Sequence, residues 1–474
     1  SWDLLTAADR TLLRRLSVFA GGWTVDLAVS VVGDDGPADP VELLDGLARL
    51  VDRSLVIVDR GQTTRYRMLE TIRQYAREQL IASGEAAAVS DRHFRAFKGL
   101  AEAAEPELRG PLMGDWLDRL DAEIDNLGAA MEWGLEASPW EAVAMARAML
   151  AYWSSRVAGE DSEARIVAAI EIARHRTVGV ADASAEDRAL AAQVLGEAAR
   201  VWSMNGRPDI GLPWAEDAIR LAEASGSPAA RLAAMAGLGV AYAFTGRGLE
   251  LRQVFDGASA LAEATGSWWT LAQSSGFSGA TIITVDPEAA ENLLRRGDEA
   301  ARRSGNPYVL GATAMARGRA FSAQHRPDEA AEALERAIAR FTEIGDQRLA
   351  LAARSDLAHG LRRGGRLNQA LAIYRETIEG WVHVGNRGAV ANQLENVAYI
   401  AIERGDLPRA ARLLGAAEGI RDTAGSSMAF DEVPEYEAFV ARLRAALPAD
   451  ELEPAWSGGR GLTPAEAVRL GREP

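Results

Sequence analysis

The sequence predicts a mainly α chain: a right-handed α-solenoid of helix pairs behind a small N-terminal module. Three observations predict it. A glycine recurs at Gly226, Gly266, Gly305, Gly345, Gly385 and Gly425, with successive spacings of 40, 39, 40, 40 and 40 residues. A second turn series falls midway, at Asn205-Gly206, Thr245-Gly246, Val285-Asp286-Pro287, His325-Arg326-Pro327, Gly364-Gly365 and Arg404-Gly405. The segments between are rich in Ala, Leu, Arg and Glu, strong helix formers, with apolar residues at helical spacing such as Leu232, Met235, Leu238 and Tyr242. Two interleaved series with one period mean two helices per unit. A pair that small cannot bury its apolar face alone, so neighbours must stack.

Residues 1–85 read as the small module. Thr6 to Phe19 has Leu12, Leu13 and Leu16 on one face, and Gly21-Gly22 is the expected helix stop. Thr24 caps a second helix through Val32, Gly33 to Pro40 is a loop, and Val41 to Asp52 is a third helix. The period then changes to alternation: Leu55 to Val58 and Arg65 to Met68, joined by a polar loop, predict a β-hairpin. Three helices followed by a hairpin is the order of a winged helix, and Leu69 to Ala82 is a helix leaving it.

A winged helix invites a DNA-binding reading, which the charges oppose. From Ser1 to Glu85 there are ten arginines against thirteen Asp and Glu. The would-be recognition helix carries Glu42, Asp45 and Asp52 against Arg49 and Arg53, so it would repel phosphates as much as attract them. Packing against other domains is the better use.

Residues 86–184 are expected to be a helical connector: Arg92 to Glu105, Met113 to Glu136, Glu141 to Val157 and Asp161 to His175, the last two forming an irregular first repeat. Its tryptophans, Trp116, Trp133, Trp140 and Trp153, read as helix-contact residues. Residues 185–425 hold six units of about forty residues. Leu238-Gly239 followed by Tyr242, small crossings at Ala218 and Ala222, and Gly or Pro at the turns resemble the tetratricopeptide repeat, in a longer form. Residues 426–474 are a C-terminal helical cap and tail: a helix over Glu432 to Leu447, a loop-rich stretch over Pro448 to Gly461, and a last helix from Pro464 to Leu470 capped by Thr463.

Longer strings carry a second resemblance. Leu13-Arg14-Arg15-Leu16-Ser17-Val18-Phe19-Ala20-Gly21-Gly22-Trp23-Thr24, Leu47 through Val58, Arg65-Tyr66-Arg67-Met68-Leu69-Glu70-Thr71-Ile72-Arg73-Gln74-Tyr75-Ala76, and Trp116-Leu117 with Leu120, Glu123 and Asp125-Asn126-Leu127 resemble bacterial STAND-type regulators, the group of AfsR-like and MalT-like transcriptional activators. The resemblance implies a nucleotide-binding ATPase module upstream of the winged helix. Its P-loop lysine has no counterpart here: Lys98, the only lysine, lacks both the glycine pattern and the following Ser or Thr. No cofactor is therefore expected in this chain, with ATP or ADP held only by the upstream module. The opening Ser1-Trp2-Asp3-Leu4-Leu5, without Met and already helical in period, reads as a piece of a longer protein.

Composition narrows the function. With 52 basic and 68 acidic residues the net charge is -16, a poor footprint for nucleic acid. Cysteine is absent, which excludes thiolate catalysis and cysteine metal sites. The five histidines, His93, His175, His325, His359 and His383, have no i, i+4 partner, so metal ligation is not expected. No apolar run of membrane-spanning length or signal peptide appears, and a cytoplasmic location is expected. Nothing points to catalysis.

Binding is expected on the concave face lined by the first helix of each pair. With Gly239 and its counterparts as register, the inward positions are Gln193, Arg200, Gln273, Arg319, His359, Arg362, Asn392, Glu395 and Tyr399. An Arg and His bias in the later part favours an acidic peptide or partner protein, or a small anionic effector. The expected function is the sensor and autoinhibitory region of an ATP-dependent transcriptional regulator, relaying effector binding through the winged helix to the ATPase. A passive repeat scaffold is the alternative, and direct DNA binding a weaker one.

Overall fold

The computed structural model describes residues 2–34, 36–61, 63–156, 159–283, 286–424, 426, 428 and 432–473. Ser1, Val157, Val285, Gly425 and Pro474 lie outside them. Contacts divide the chain into two units, residues 1–205 with 209–237, and residues 206–208 with 238–474.

The first unit opens on the winged helix. Helices α1 (Ala7–Leu16), α2 (Val25–Val32) and α3 (Pro40–Asp52) bury Leu13, Leu16, Val31, Leu47 and Leu50. The cap at each start is a side chain accepting from a backbone N–H: Thr6 from Asp9, Thr24 from Leu27, and Asp39 from Val41 and Glu42. The α1 helix stops at Leu16, short of the expected Phe19, and Gly21-Gly22 is not its cap.

The hairpin is β1 (Ile57–Arg60) with β2 (Thr64–Arg67), antiparallel, Val58 opposite Tyr66. It starts two residues later than the alternation suggests. Leu55 and Val56 are buried, and both their N–H groups donate to the Leu50 carbonyl, so they finish α3 rather than join the sheet. Trp23 adds a bridge to the hairpin: its N–H donates to the Tyr66 carbonyl at 2.8 Å, and its carbonyl accepts from the Tyr66 N–H at 2.8 Å.

The unit continues with α4 (Glu70–Ala82), α5 (Ala86–Glu107), α6 (Met113–Asp121), α7 (Ile124–Ala137), α8 (Pro139–Ser155), α9 (Glu160–Thr177), α10 (Ala185–Met204) and α11 (Pro208–Ser225). The helix expected over Met113 to Glu136 is two helices, broken at Ala122-Glu123.

Next come α12 (Pro228–Phe244) and the tetratricopeptide-like stack of the second unit: α13 (Gly248–Thr265), α14 (Trp268–Ile282), α15 (Pro287–Ser304), α16 (Pro307–Ala323), α17 (Pro327–Glu343), α18 (Gln347–Arg363), α19 (Leu367–Val384), α20 (Arg387–Arg404) and α21 (Leu407–Ala424). Each helix packs on the next, and α14, α16, α18 and α20 pack on one another, which is the solenoid connectivity. The turn glycines take the left-handed conformation their series predicts, φ 71° at Gly266 and 77° at Gly385. Where the series lacks glycine, His325 takes φ 57° itself. The small-against-large rule recurs at the repeat spacing: a Cβ on Gly239, Gly279 or Gly318 would lie 2.3 to 2.8 Å from Phe255, Leu294 or Leu334 of the partner helix.

The stretch expected to be loop-rich, Pro448 to Gly461, is largely helical. After α22 (Val433–Ala446), α23 (Ala449–Arg460) precedes α24 (Pro464–Arg472). Gly458 and Gly459 imitate a loop signal, yet Gly459 is a contact residue. A Cβ there would sit 2.0 Å from the Arg412 carbonyl, and one on Gly415 would sit 2.0 Å from that of Trp456. The helices α21 and α23 meet backbone to backbone, and only glycine permits it.

Candidate functional site: the winged-helix corner and the last two repeats

In the first unit, a polar network joins the winged helix to the connector. The Asn126 amide oxygen accepts from the N–H of Ala20 at 2.9 Å and of Gly21 at 3.4 Å, and its nitrogen donates to the Gly22 carbonyl at 2.8 Å and to Glu123 at 2.9 Å. From the hairpin, Arg65 ion-pairs with Glu123 and donates to the carbonyls of Gly22 and Ala122. The α6–α7 break frees the Ala122 carbonyl for that bond and turns Glu123 and Asn126 towards the glycine corner. Gly22 lies so close to the hairpin that a Cβ would be 3.0 Å from the Tyr66 carbonyl. Beneath, Phe19 stacks on Trp23 at 5.3 Å and edges against His93 and Phe97. Burial, with Arg77 adding its charge, holds His93 near 4, although an Asn126 hydrogen bond works the other way. Arg14 and Arg15 both bind Glu85, whose carboxyl those bonds hold at about 2.

Helix α3 does not present a basic face. The side chain of Arg49 donates to Asp9 at 2.9 Å, and Arg53 donates to the Leu4 carbonyl at 3.0 Å and lies 4.0 Å from Asp9. Asp9 itself is 1 % exposed. What α3 shows to solvent includes Val41, Glu42, Leu44 and Asp45.

Of the nine expected groove residues, five are buried: Arg200, Gln273, Arg362, Glu395 and Tyr399. Arg200 is buried and bonded to Glu197 at 3.0 Å, which Arg109 also holds at 2.8 Å. Gln273 is 3 % exposed, and neither its amide oxygen nor its nitrogen has a hydrogen-bond partner. The helical register put both on the inner face, but in a stack that face is also covered by the neighbouring first helices. Gln193 is half-buried and accepts from Arg147 at 3.4 Å. Arg319, half exposed, donates to Asp356 of the next first helix at 2.6 Å.

The remaining five converge at the end of the second unit. His359 Nδ1 lies 2.7 Å from the Tyr374 hydroxyl, which donates to the Asn396 amide oxygen at 3.2 Å. Burial, then the charges of Arg362 and Arg363, depress His359 to about 3, so it is neutral. Arg362 is 3 % exposed; it donates to Asn396 at 3.0 Å and to Glu435 at 2.6 Å. Arg363 takes the other Glu435 oxygen at 2.6 Å. Burial opposes ionisation of Glu435, but the two guanidinium groups prevail and hold it at about 2. Asn392 donates to Glu432 at 2.7 Å. Tyr399 stacks on Phe439 at 4.3 Å with 9° between planes, and the Arg362 guanidinium lies 5.1 Å and 5.5 Å from their centroids. Glu395 pairs with Arg421 at 2.8 Å.

Helix α22 therefore covers this face with Glu432, Glu435 and Phe439. Sequence reasoning found the floor but missed the cover. The signal was present: Glu432, Glu435 and Phe439 stand at i, i+3 and i+7, one helix face.

Comparison with known proteins bears on the family, the relatives and the fold. A winged helix-turn-helix domain family matches residues 5–81. The chain is 34% identical over 315 residues to "Putative HTH-type transcriptional regulator Rv0890c" of Mycobacterium tuberculosis, covering 65% of this chain and 35% of that protein. It is 43% identical over 100 residues to "Uncharacterized protein Rv0894" of the same species, covering 21% of this chain and 25% of that protein. The chain thus spans about a third or less of the length of these curated relatives. Among solved structures, a STAND protein with a tetratricopeptide repeat sensor from Pyrococcus horikoshii aligns over 94% of this chain and 66% of its own, at 14% identity and a TM-score of 0.47. A Rap protein complexed with Competence and Sporulation Factor aligns over 78% of this chain and 99% of its own, at 14% identity and a TM-score of 0.49. The chain is a winged helix followed by tetratricopeptide-like repeats, homologous to HTH-type transcriptional regulators. No helix among the described residues is long and apolar enough to cross a membrane.

Proposed function

We infer that this chain is the sensor and autoinhibitory region of a STAND-type transcriptional regulator, in which the repeats take an effector or partner and the winged helix relays the change. ATP or ADP would be bound by an ATPase module elsewhere in the whole protein, in contact with the winged helix. The observation that carries the reading is the Asn126–Glu123–Arg65 corner. It ties three segments distant in sequence, the glycine corner, the hairpin and the α6–α7 break, into one polar joint. A joint of that kind lets a displacement of the connector reach the winged helix, and the homology to HTH-type transcriptional regulators supplies the regulatory context.

Direct DNA binding is disfavoured, because Arg49 and Arg53, although partly exposed, are engaged with Asp9 or the Leu4 carbonyl, and the other exposed residues of α3 are apolar or acidic. The apolar pair Val41 and Leu44, 66% and 43% exposed, suits a protein surface instead.

Relay requires an effector with different affinity for two states. The test is nucleotide turnover by a longer protein that carries an ATPase module, measured with and without residues 86–474. A changed turnover is expected; equal turnover in both forms would remove the sensor reading.

A further inference from the structure

The first unit holds a cavity of about 500 Å³ between the connection from α9 to α10 and helix α11, within the size range of small-molecule sites. Val178 and Val180 of the connection and Leu221 of α11 give it largely apolar walls. Its charged groups are Arg188 of α10 and Asp217 and Arg220 of α11. Arg188 shapes the connection: Nη2 donates to the Val180 carbonyl at 3.2 Å and to the Ala181 carbonyl at 2.8 Å. One nitrogen makes both bonds, and among the described residues neither Nε nor Nη1 has a partner and no carboxylate pairs with Arg188. Asp217, 5 % exposed, is already satisfied: one oxygen accepts from Arg174 at 3.1 Å and the other pairs with Arg220. Arg174 also holds Glu171 at 3.1 Å. Three guanidiniums thus stand against two carboxylates, and the surplus positive charge is that of Arg188, in a chain of net charge -16.

We propose that this cavity binds a small organic acid with an apolar body, its carboxylate taken by the spare donors of Arg188 and its hydrocarbon lying against Val178, Val180 and Leu221. The planar guanidinium presents a fork that matches a carboxylate, and such charge-assisted bonds are the strong ones. A neutral apolar ligand would cover Arg188 and offer it no acceptor, which is costly. A phosphate dianion fits less well, because one surplus positive charge matches a monoanion and Asp217 lines the same cavity. None of these residues belongs to the expected groove or to the Asn126 joint, so the site does not depend on the regulatory reading. A nucleotide turnover unaffected by residues 86–474 would remove that reading and leave this one.

The experiment titrates the full chain with anilinonaphthalene sulfonate, an aromatic monoanion whose fluorescence rises on apolar surface, and then displaces the dye. Decanoate should displace it at a concentration at least about tenfold lower than decanol, which has the same number of carbons and no charge. In Arg188→Gln the two should act at the same concentration, with that of decanol unchanged. Ala181→Trp, at an exposed lining position, should fill the cavity and abolish dye binding. Because Arg188→Gln also removes two bonds to the connection, a second readout uses the wild type alone: saturating decanoate should slow amide hydrogen exchange across 178–184 and leave α3 unchanged. Equal displacement by decanoate and decanol, a dye that does not bind the wild type or still binds Ala181→Trp, or exchange in 178–184 that decanoate does not alter would overturn the proposal. Inorganic phosphate displacing the dye at a lower concentration than decanoate would do the same in favour of a phosphate site. Acetyl-Val-Leu with a free carboxylate outcompeting decanoate would assign the cavity to a peptide terminus instead.

Discussion

At the scale of single residues, the most consequential choices are charges and rings placed where water is scarce. His93 is enclosed by Phe19 and Phe97 and leaves Nε2 without a hydrogen-bond partner. Burial keeps it neutral to about pH 4, against an ordinary value near 6.5. In the unfolded chain it binds a proton below about 6.5, and in the folded chain it does not until about 4. Unfolding therefore takes up protons in that window, and stability falls as pH is lowered through it. His359, depressed to about 3, acts in the same direction. Glu85 and Glu435, held at about 2, act lower, losing stability only as pH falls below about 4.5. Thermal melts should accordingly drop between pH 6.5 and 4.5, and His93→Phe, which keeps the aromatic packing, should shrink that drop while changing the pH 8 value less. An unchanged slope in the variant would mean that His93 is accessible to protons in the folded state.

At the scale of elements, close helix crossings decide what a glycine means. Gly459 and Gly415 let α21 and α23 touch through backbone, so Gly459→Ala should cost about 1–3 kcal/mol by forcing the helices apart. Urea denaturation measures it, with Gly458→Ala as the control: a Cβ on Gly458 meets nothing within 4 Å. If the two variants melt alike, the crossing is looser than the geometry requires. The same pair explains a limit of sequence reading. The 3.6 period and two turn series made the repeats legible, because both are local. Pro454 and Gly458-Gly459 suggest a loop, because local signals cannot tell a glycine that ends a helix from one that admits a neighbour. The site divided similarly. His359, Arg362, Asn392 and Tyr399 were legible from register alone. That α22 lies over them was not, since the contact from Arg362 to Glu435 spans 73 residues and no periodicity reports it. Arg200 and Gln273 show the converse error: register names a face but not how deeply the next repeat buries it.

At the scale of the whole molecule, charge decides between two uses of the winged helix. A DNA-binding winged helix brings cations to phosphate and inherits a steep salt dependence, since each neutralised phosphate releases counterions. This chain carries a net charge of -16, and the arginines of α3 that could offset it are directed to Asp9 and the Leu4 carbonyl. Withdrawing Arg49 would leave Asp9, a carboxylate that is 1 % exposed, without its hydrogen-bonded counter-charge, a costly arrangement. The arginines are thus held by the fold and not merely unused. A labelled DNA duplex titrated with the chain should give anisotropy that barely rises, at about 50 mM salt as at about 200 mM, where a protein with several phosphate contacts would lose orders of magnitude in affinity. Asp9→Asn sharpens the test, because it removes the carboxylate that holds Arg49 while reducing the net negative charge by one. If binding stays absent in that variant, the remaining surface around α3, with Val41, Leu44, Glu42 and Asp45, is what excludes DNA. Strong, salt-sensitive binding by the wild type would instead restore the winged helix as a DNA reader and remove the reason for assigning it a protein contact.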